Sequence, residues 1–207
     1  MLAENALTTV DRMKIMLGLP DIPDERTDQT IEMLINKASA WVERQIGRKL
    51  ARQDYVEFYD ADGQQELALA EYPIVKVHYV KQDGAVTDPK TYDYGQTADI
   101  GVIYRDIGWM KAGYRSGLAN DIIAPKRCIE VSYTAGYVPP KDATEDEPAT
   151  LPADLEGLIW EMVSQAYTNL LNGSQGLNAF SISDVRWDFD NGTHPEWMQL
   201  VNIYKRY

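Results

Sequence analysis

The side chains that could do chemistry are few and scattered along the chain. Asp60 and Asp62 are separated by one residue, and Asp188 and Asp190 repeat that spacing. A calcium loop also needs a ligand at its fifth position, glycine at its sixth and a late glutamate, which neither pair has. We interpret Asp60–Gly63 as a hairpin turn and the second pair as the solvent face of a strand. The sequence therefore predicts no metal site and no cofactor site.

The remaining candidates are two histidines and one cysteine. His78 lies in the middle of a strand-like run, which is typical of a sheet-face residue, and His194 precedes a proline and a helix, which favours a cap or surface role over catalysis. Cys128 lies in a predicted strand, where a buried structural thiol is favoured over a reactive nucleophile. The sequence holds no GxGxxG, GxxxxGK[ST], GxSxG or HExxH motif. We predict that the chain is not an enzyme; the enzymatic alternative is a small hydrolase with scattered Asp and His residues.

The composition is that of a globular, acidic protein. The chain has 207 residues, 44% of them hydrophobic, and a net charge of −12. The acidic excess is C-terminal, since residues 141–207 hold 11 acidic and 4 basic side chains. Tight binding to nucleic acid depends on Lys and Arg contacts with phosphates, and no basic stripe is evident, so such binding is not expected. Without an apolar run of about 20 residues or a signal peptide, we expect no membrane partner and a soluble protein folded in a cytoplasm.

Apolar periodicity predicts four helices, at about 9–18, 28–46, 152–171 and 195–205. Asp28 is the predicted N-cap of the second helix and Gly47 its stop. The third helix carries a continuous apolar stripe over more than four turns. These helices imply a small bundle.

Alternating strands and turn signals fill the stretch between the second and third helices. A strong strand at 74–80 ends at Asp83-Gly84, and residues 107–126 are interpreted as a loop before the strand 128–134. The predicted fold class is α+β: a small helical bundle with an antiparallel β unit inserted at about 53–135.

The last residues differ from the rest of the chain. Residues 173–195 are rich in Gly, Ser and Asn. We predict one domain over 1–172, with the β insertion at about 52–135, and a partly flexible C-terminal tail at 173–207. Large aromatic side chains suit wet apolar surfaces such as protein interfaces, although they could equally complete a core. The interface candidates are Trp187, Phe189, Trp197, Tyr204 and Tyr207.

The order of these parts resembles a known family. KIMLGL, WVERQIGRKL, EYPIVKVHYV, EVSYTAGY and LPADLEGLIWEMVSQAY follow one another over most of residues 8–172. This layout is similar to that of the head–tail connector family of long-tailed double-stranded DNA bacteriophages, also called adaptor, head-completion or DNA-packaging connector proteins.

The resemblance implies a structural role in the virion, at the head–tail junction. Proteins of this kind form a ring, typically a dodecamer, beneath the capsid portal. The implied partners are further copies of the chain, the portal protein and the next neck or tail protein, while genomic double-stranded DNA passes through without tight binding. We expect the tail, 173–207, to order on a neighbour or on the portal. The structural alternative is another neck or tail-completion protein.

Overall fold

The computed structural model describes residues 1–20, 22, 24–109, 127–172 and 194–205, with the backbone of four short strands outside these ranges. The chain folds as two compact units, one formed by residues 1–51 with 138–207 and the other by 52–137. The first holds the helices and the second the main antiparallel sheet, so the predicted α+β class is confirmed. The predicted division into a 1–172 domain and a separate tail stays a prediction.

Four helices make up the described core of the first unit: α1 Val10–Met16, α2 Glu25–Ile46, α3 Ala153–Leu171 and α4 Pro195–Ile203. The Thr9 side chain caps α1 by accepting from the backbone N–H of Arg12. Gly47 ends α2 in the left-handed conformation, with φ of 84°. No helix in the described part of the chain is both long and apolar enough to cross a bilayer.

The start of α2 corrects the predicted cap. The helix begins at Glu25, and the side chain of Asp24 accepts from Arg26 N at 3.2 Å. Asp28, predicted as the cap, lies within the helix and forms an ion pair with Lys14 of α1, with 2.5 Å between Nζ and Oδ1. The polar segment before the apolar stripe holds more than one possible cap, and the sequence pattern favoured the later one.

The apolar stripes of the helices face one another. In α2 the buried residues recur at steps of three and four, as do those of α3, which is typical of an amphipathic helix. α2 contacts each of the other three helices. Fully or nearly fully buried members of this core are Leu7, Met13, Ile31, Ile35, Val42, Leu155, Ile159, Val163 and Val201.

Ten strands are described: β1 Gln53–Tyr59, β2 Glu66–Ala68, β3 Ile74–Gln82, β4 Ala85–Val86, β5 Val102–Tyr104, β6 Tyr114–Arg115, β7 Ile122–Ile123, β8 Ile129–Ala135, β9 Ala179–Ile182 and β10 Val185–Asp188. The main sheet is antiparallel with the order β1-β8-β3-β4. Every second residue of β8 is buried, from Ile129 to Ala135. This alternation places one face of the sheet on the core of the second unit and leaves the other face open.

One predicted hairpin is present and another is not. β3 and β4 are joined by Asp83 and Gly84, both with positive φ, as a tight antiparallel turn requires. The predicted hairpin at Asp60–Gly63 is wrong, because β1 pairs with β8 while β2 pairs with β5. The segment is still a turn, since Asp62 Oδ1 accepts from Gln64 N at 2.8 Å. Residues 107–126 are not wholly a loop, because β6 and β7 pair within them.

Gly108 lies at a close approach between two segments of the second unit. The N–H of Gly63 donates to the Trp109 carbonyl, and the N–H of Trp109 donates to the Gln64 carbonyl. A Cβ on Gly108 would lie 2.7 Å from the carbonyl oxygen of Gly63, and its φ is +72°. Both the conformation and the available space therefore require glycine here.

We expect Gly108→Ala to lower the free energy of unfolding by about 3 kcal/mol, because a methyl group would add a backbone clash to the cost of positive φ. Gly84→Ala is the matched control: its φ is +80° but its Cβ would meet nothing within 4 Å. The control should cost only about 1 kcal/mol. Chemical denaturation measures both, and equal losses would contradict this account of Gly108.

Candidate interface site

α4 carries the two predicted interface residues whose side chains are described. Trp197 meets Trp41 of α2 edge to face, with ring centroids 6.4 Å apart. Its indole N–H donates to Glu161 Oε2 of α3 at 3.1 Å. The Tyr204 hydroxyl donates to the carboxylate of Asp154, near the N-terminal end of α3, at 2.7 Å. Both aromatic side chains therefore make contacts inside the first unit.

These contacts attach α4 along the length of α3. Val201, between the two aromatic residues, has no exposed surface. His194 precedes α4, as the predicted cap position requires, but its ring makes no capping hydrogen bond. The ring instead lies 4.6 Å from that of Trp197 and 3.1 Å from the amide nitrogen of Gln165. α4 is thus a packed element of the first unit.

The other predicted interface residues are less fully placed. The backbone of Trp187 lies in β10, opposite Phe180 of β9, and Asp188 lies opposite Ala179. β9 and β10 form a two-stranded antiparallel sheet within the predicted tail. Phe189, Asp190 and Tyr207 lie outside the described residues. An interface role for the five aromatic residues stays a prediction.

A buried carboxylate joins the N-terminal segment to α3. Glu156 is 5% exposed and accepts from Arg12 Nε at 2.7 Å and from Arg12 Nη2 at 2.8 Å, a bidentate pair. It also accepts from the fully buried hydroxyl of Thr8 at 2.8 Å, and that hydroxyl accepts from Trp160 Nε1 at 3.1 Å. The position of Glu156 in the first turn of α3 further favours its negative charge. Sequence reasoning missed this cluster.

A second buried carboxylate secures the end of α2. Glu43 is 6% exposed and accepts from the Asn5 amide at 2.9 Å and from Leu50 N at 2.9 Å. One turn earlier, the Ser39 hydroxyl oxygen accepts from Leu7 N at 3.1 Å. Residues before α1 are therefore fixed against α2 by side-chain hydrogen bonds as well as by burial.

The open face of the sheet brings together an acid, a hydroxyl and a histidine. His78 Nε2 lies 2.9 Å from Thr134 Oγ1 and 3.5 Å from Asp54 Oδ1. A nucleophile relay needs the acid on the other ring nitrogen and the hydroxyl proton directed at the histidine. Here the Thr134 hydroxyl donates to Asp54, and both groups meet the same nitrogen. The Thr134 and His78 contacts lower the pKa of Asp54, so the arrangement favours an ionised acid on a wet sheet face.

A second polar cluster lies on the same face. The Tyr79 hydroxyl and Lys81 Nζ both approach Glu130 Oε1, at 2.7 and 3.0 Å. The Lys81 ammonium also lies 4.3 Å from the centre of the Tyr79 ring. The hydrogen bond from Tyr79 and then that from Lys81 lower the pKa of Glu130. Val56 and Phe58, 55% and 45% exposed, lie on neighbouring rows of this face.

The buried side of the sheet has its own hydrogen-bonded centre. The hydroxyls of Tyr133 and Tyr59 both donate to Glu57 Oε2. Burial, reinforced by the adjacent carboxylate, raises the pKa of each tyrosine well above its usual range. Backbone N–H groups of Ala70 and Glu71 donate to the two hydroxyls. The cluster therefore connects the strands to the segment after β2.

The remaining chemical candidates stay apart. Cys128 is a half-buried free thiol that packs against the core of the second unit. Across the described residues, no three His, Cys, Asp or Glu side chains converge as metal ligands would. The arrangement that the described side chains do form is one of fixed helices and a sheet with a polar open face.

Comparison with known proteins names the family. A family model described as head completion protein matches residues 6–155. The chain belongs to the head completion protein family, which confirms the resemblance seen in its sequence. A comparison with curated proteins finds no match.

Solved structures share the fold. Chains from the neck of an empty gene transfer agent (GTA) particle computed with C6 symmetry, and from the neck of a native GTA particle computed with C12 symmetry, superpose with TM-scores of 0.57 and 0.54 at 16% and 13% identity. A chain from the virion of the native GTA particle gives a TM-score of 0.53 at 14% identity. Each comparison covers 100% of this chain and 93% of the other.

We expect Glu156→Ala to lower the free energy of unfolding of the helical unit by about 2 kcal/mol, because the buried Thr8 hydroxyl and the Arg12 guanidinium lose their acceptor. Glu4→Ala, in the same unit but exposed and without a side-chain contact, is the control and should change stability by less than about 0.5 kcal/mol. Thermal unfolding followed by circular dichroism compares the two. Equal effects would show that the Glu156 cluster is not a stabilising contact.

We expect the Glu130 carboxyl to titrate below the ordinary glutamate value. The interaction stabilises the fold above that ordinary pKa and is lost as pH falls through the lower, folded pKa. Because the Tyr79 hydrogen bond is the larger cause, Tyr79→Phe should raise the NMR titration midpoint more than Lys81→Met. Thr134→Val, outside this cluster, is the control and should leave the Glu130 midpoint unchanged. A larger shift in Lys81→Met than in Tyr79→Phe would contradict the prediction that Tyr79 is the larger cause.

Proposed function

We propose that this protein is a head–tail connector that forms a ring of twelve copies beneath the capsid portal, extends the DNA channel and receives the next neck or tail protein. The observation that carries the proposal is the family match over residues 6–155. It is supported by likeness over the whole chain to proteins in GTA necks, one of which was computed with C12 symmetry. The role is structural and involves no catalysis.

The charge of the chain suits a conduit for DNA. A ring that lines a DNA path must let the genome slide, and each strong phosphate contact would oppose sliding. A chain with a net charge of −12 repels a polyanion at long range. The double-stranded genome is therefore proposed to pass through without tight binding.

The segment 173–207 is proposed to carry contacts with the neighbouring copy or the portal. α4 is already attached to α2 and α3 by Trp197, Val201 and Tyr204. The stretch between α3 and α4, which holds β9 and β10, is therefore the part of the tail proposed to meet a partner. Of the five aromatic candidates, Trp187 and Phe189 are therefore proposed to contact the partner, and the residues of α4 are not.

Electron microscopy of the purified chain, alone and mixed with the portal protein of its particle, tests the proposal. We expect closed rings of twelve copies seated on the portal. Replacing residues 173–193 with a Gly/Ser linker of equal length keeps α4 and should abolish seating, whereas Ile203→Ser, at an exposed position of α4, should not. A chain that stays monomeric with the portal, or that seats elsewhere in the neck or tail, would contradict the proposed position.

A further inference from the structure

The solvent-facing side of α2 carries a basic stripe that the sequence analysis did not recognise. Arg26, Lys37 and Arg44 are all exposed, and their spacings of 11 and 7 residues bring them to the same side of a helix at about 100° per residue. Met33, which is 72% exposed, lies on the same line. We call these four residues the α2 ridge. It extends over about 27 Å at 1.5 Å per residue.

The α2 ridge lies opposite the buried side of its helix. The core-facing residues of α2, which include Ile31, Ile35 and Val42, are about 160° around the axis from it. Within the described residues, the elements packed against α2 leave the four ridge side chains exposed. None of the three ridge cations forms an ion pair within the described residues, although acidic side chains outnumber basic ones by 32 to 20.

Helix stability does not account for the α2 ridge. No acidic residue lies three or four positions from any of its cations, so the usual intrahelical ion pairs are absent. Arg26 is in the first turn, where a cation opposes the helix dipole. The α2 ridge therefore does not stabilise its own helix, and the described part of the chain does not cover it. These properties are those of a binding surface for an acidic partner.

The chain itself presents an acidic counterpart. The segment 138–151 is closed at its base, where Thr150 N and Leu151 N donate to the Val138 carbonyl, and Thr150 Oγ1 accepts from Val138 N. At its far end, Thr144 N donates to the Glu147 carbonyl, and Glu147 N donates to Thr144 Oγ1. Glu145 and Asp146 are exposed at the tip of this acidic turn, which comprises residues 144–147.

We propose that the α2 ridge of one copy receives the acidic turn of the next copy. The inference rests on the proposed ring, because it names the contact between ring neighbours. Lys37 and Arg44, about 10 Å apart along the helix, would face the exposed carboxylates of Glu145 and Asp146, and the exposed Pro148 and Ala149 that follow the acidic turn would supply a small apolar surface for Met33. Each copy offers one ridge and one turn, so the contact is head to tail and propagates around a closed ring.

Cross-linking identifies the occupant. Equal amounts of ¹⁴N- and ¹⁵N-labelled chain are treated with a zero-length carbodiimide that joins Lys to Glu or Asp. We expect mixed-isotope cross-links between Lys37 and Glu145 or Asp146, with yields that fall several-fold as salt rises. Lys37 cross-links confined to one chain or to other carboxylates, or an absence of inter-chain cross-links, would overturn the proposal.

Charge reversal supplies the second measurement. Lys37→Glu/Arg44→Glu and Glu145→Lys/Asp146→Lys should each reduce ring formation at least tenfold, whereas the chain carrying all four changes should recover it. Lys76→Glu/Lys90→Glu alters net charge equally at exposed positions of the second unit and should assemble normally. If rings form on the portal and all charge variants assemble alike, this contact is wrong and the proposed function stands; if the unaltered chain forms no ring, both fail.

A duplex oligonucleotide tests the competing occupant. Basic side chains bind phosphates with strong salt dependence, so a DNA-contacting ridge would retain duplex in a gel and lose it in Lys37→Glu/Arg44→Glu. We expect no retention at physiological salt for either chain. Retention that depends on the two cations would replace the second copy with DNA as the occupant and refute the proposal.

Discussion

The buried carboxylate of Glu156 fixes the beginning of the chain against α3 in the helical unit. Desolvation of a carboxylate is expensive, and Glu156 is tolerated because a bidentate guanidinium, a hydroxyl and the N-terminal end of α3 all face it. The residues that satisfy it, Thr8 and Arg12, precede or belong to α1. Thr8 and Arg12 precede Glu156 by about 145 residues. The Glu156 carboxylate therefore has these partners only when the beginning of the chain packs against the start of α3. Apolar burial drives the packing of these helices, and this cluster selects their arrangement.

In the second unit, neutral hydroxyl groups satisfy the half-buried carboxylate of Glu57. Glu57 takes hydroxyl donors from Tyr59 of its own strand and Tyr133 of the central strand β8. Both tyrosines resist ionisation because burial and the carboxylate act in the same direction on their pKa. The two hydroxyls therefore keep their protons and remain hydrogen-bond donors to the carboxylate. The open face of the same sheet holds the exposed, titratable groups instead.

Local features of this fold could be predicted from the sequence, and long-range partners could not. Periodicity located all four described helices and the α+β class, and Gly47 and Asp83-Gly84 end their elements as predicted, since each signal involves neighbouring residues. The prediction of a hairpin at Asp60–Gly63 was wrong because a turn signal does not determine whether the flanking strands pair with each other. β2 pairs with β5 and not with β1. The Glu156 cluster was invisible because its members are ordinary residues in three different segments. Of the candidate interface, Trp197 lies on α4 as predicted and Tyr204 is the C-cap residue of that helix, but their hydrogen-bond partners inside the unit have no sequence signature.

The distribution of charged side chains over the surface is more informative about binding than the net charge. A net charge of −12 describes the far field that an approaching polyanion meets, and that field is repulsive. Within a few ångströms of the surface, the local arrangement of charges determines which partner is attracted. There the α2 ridge is basic, and the acidic turn, residues 144–147, is negatively charged. No ion pair joins these two sets of charges within the described residues, so both stay available to another copy. Under the proposed contact, copies would attract each other at short range and the assembled ring would still repel DNA, because pairing the ridge with the turn leaves the net charge of −12 of every copy in place.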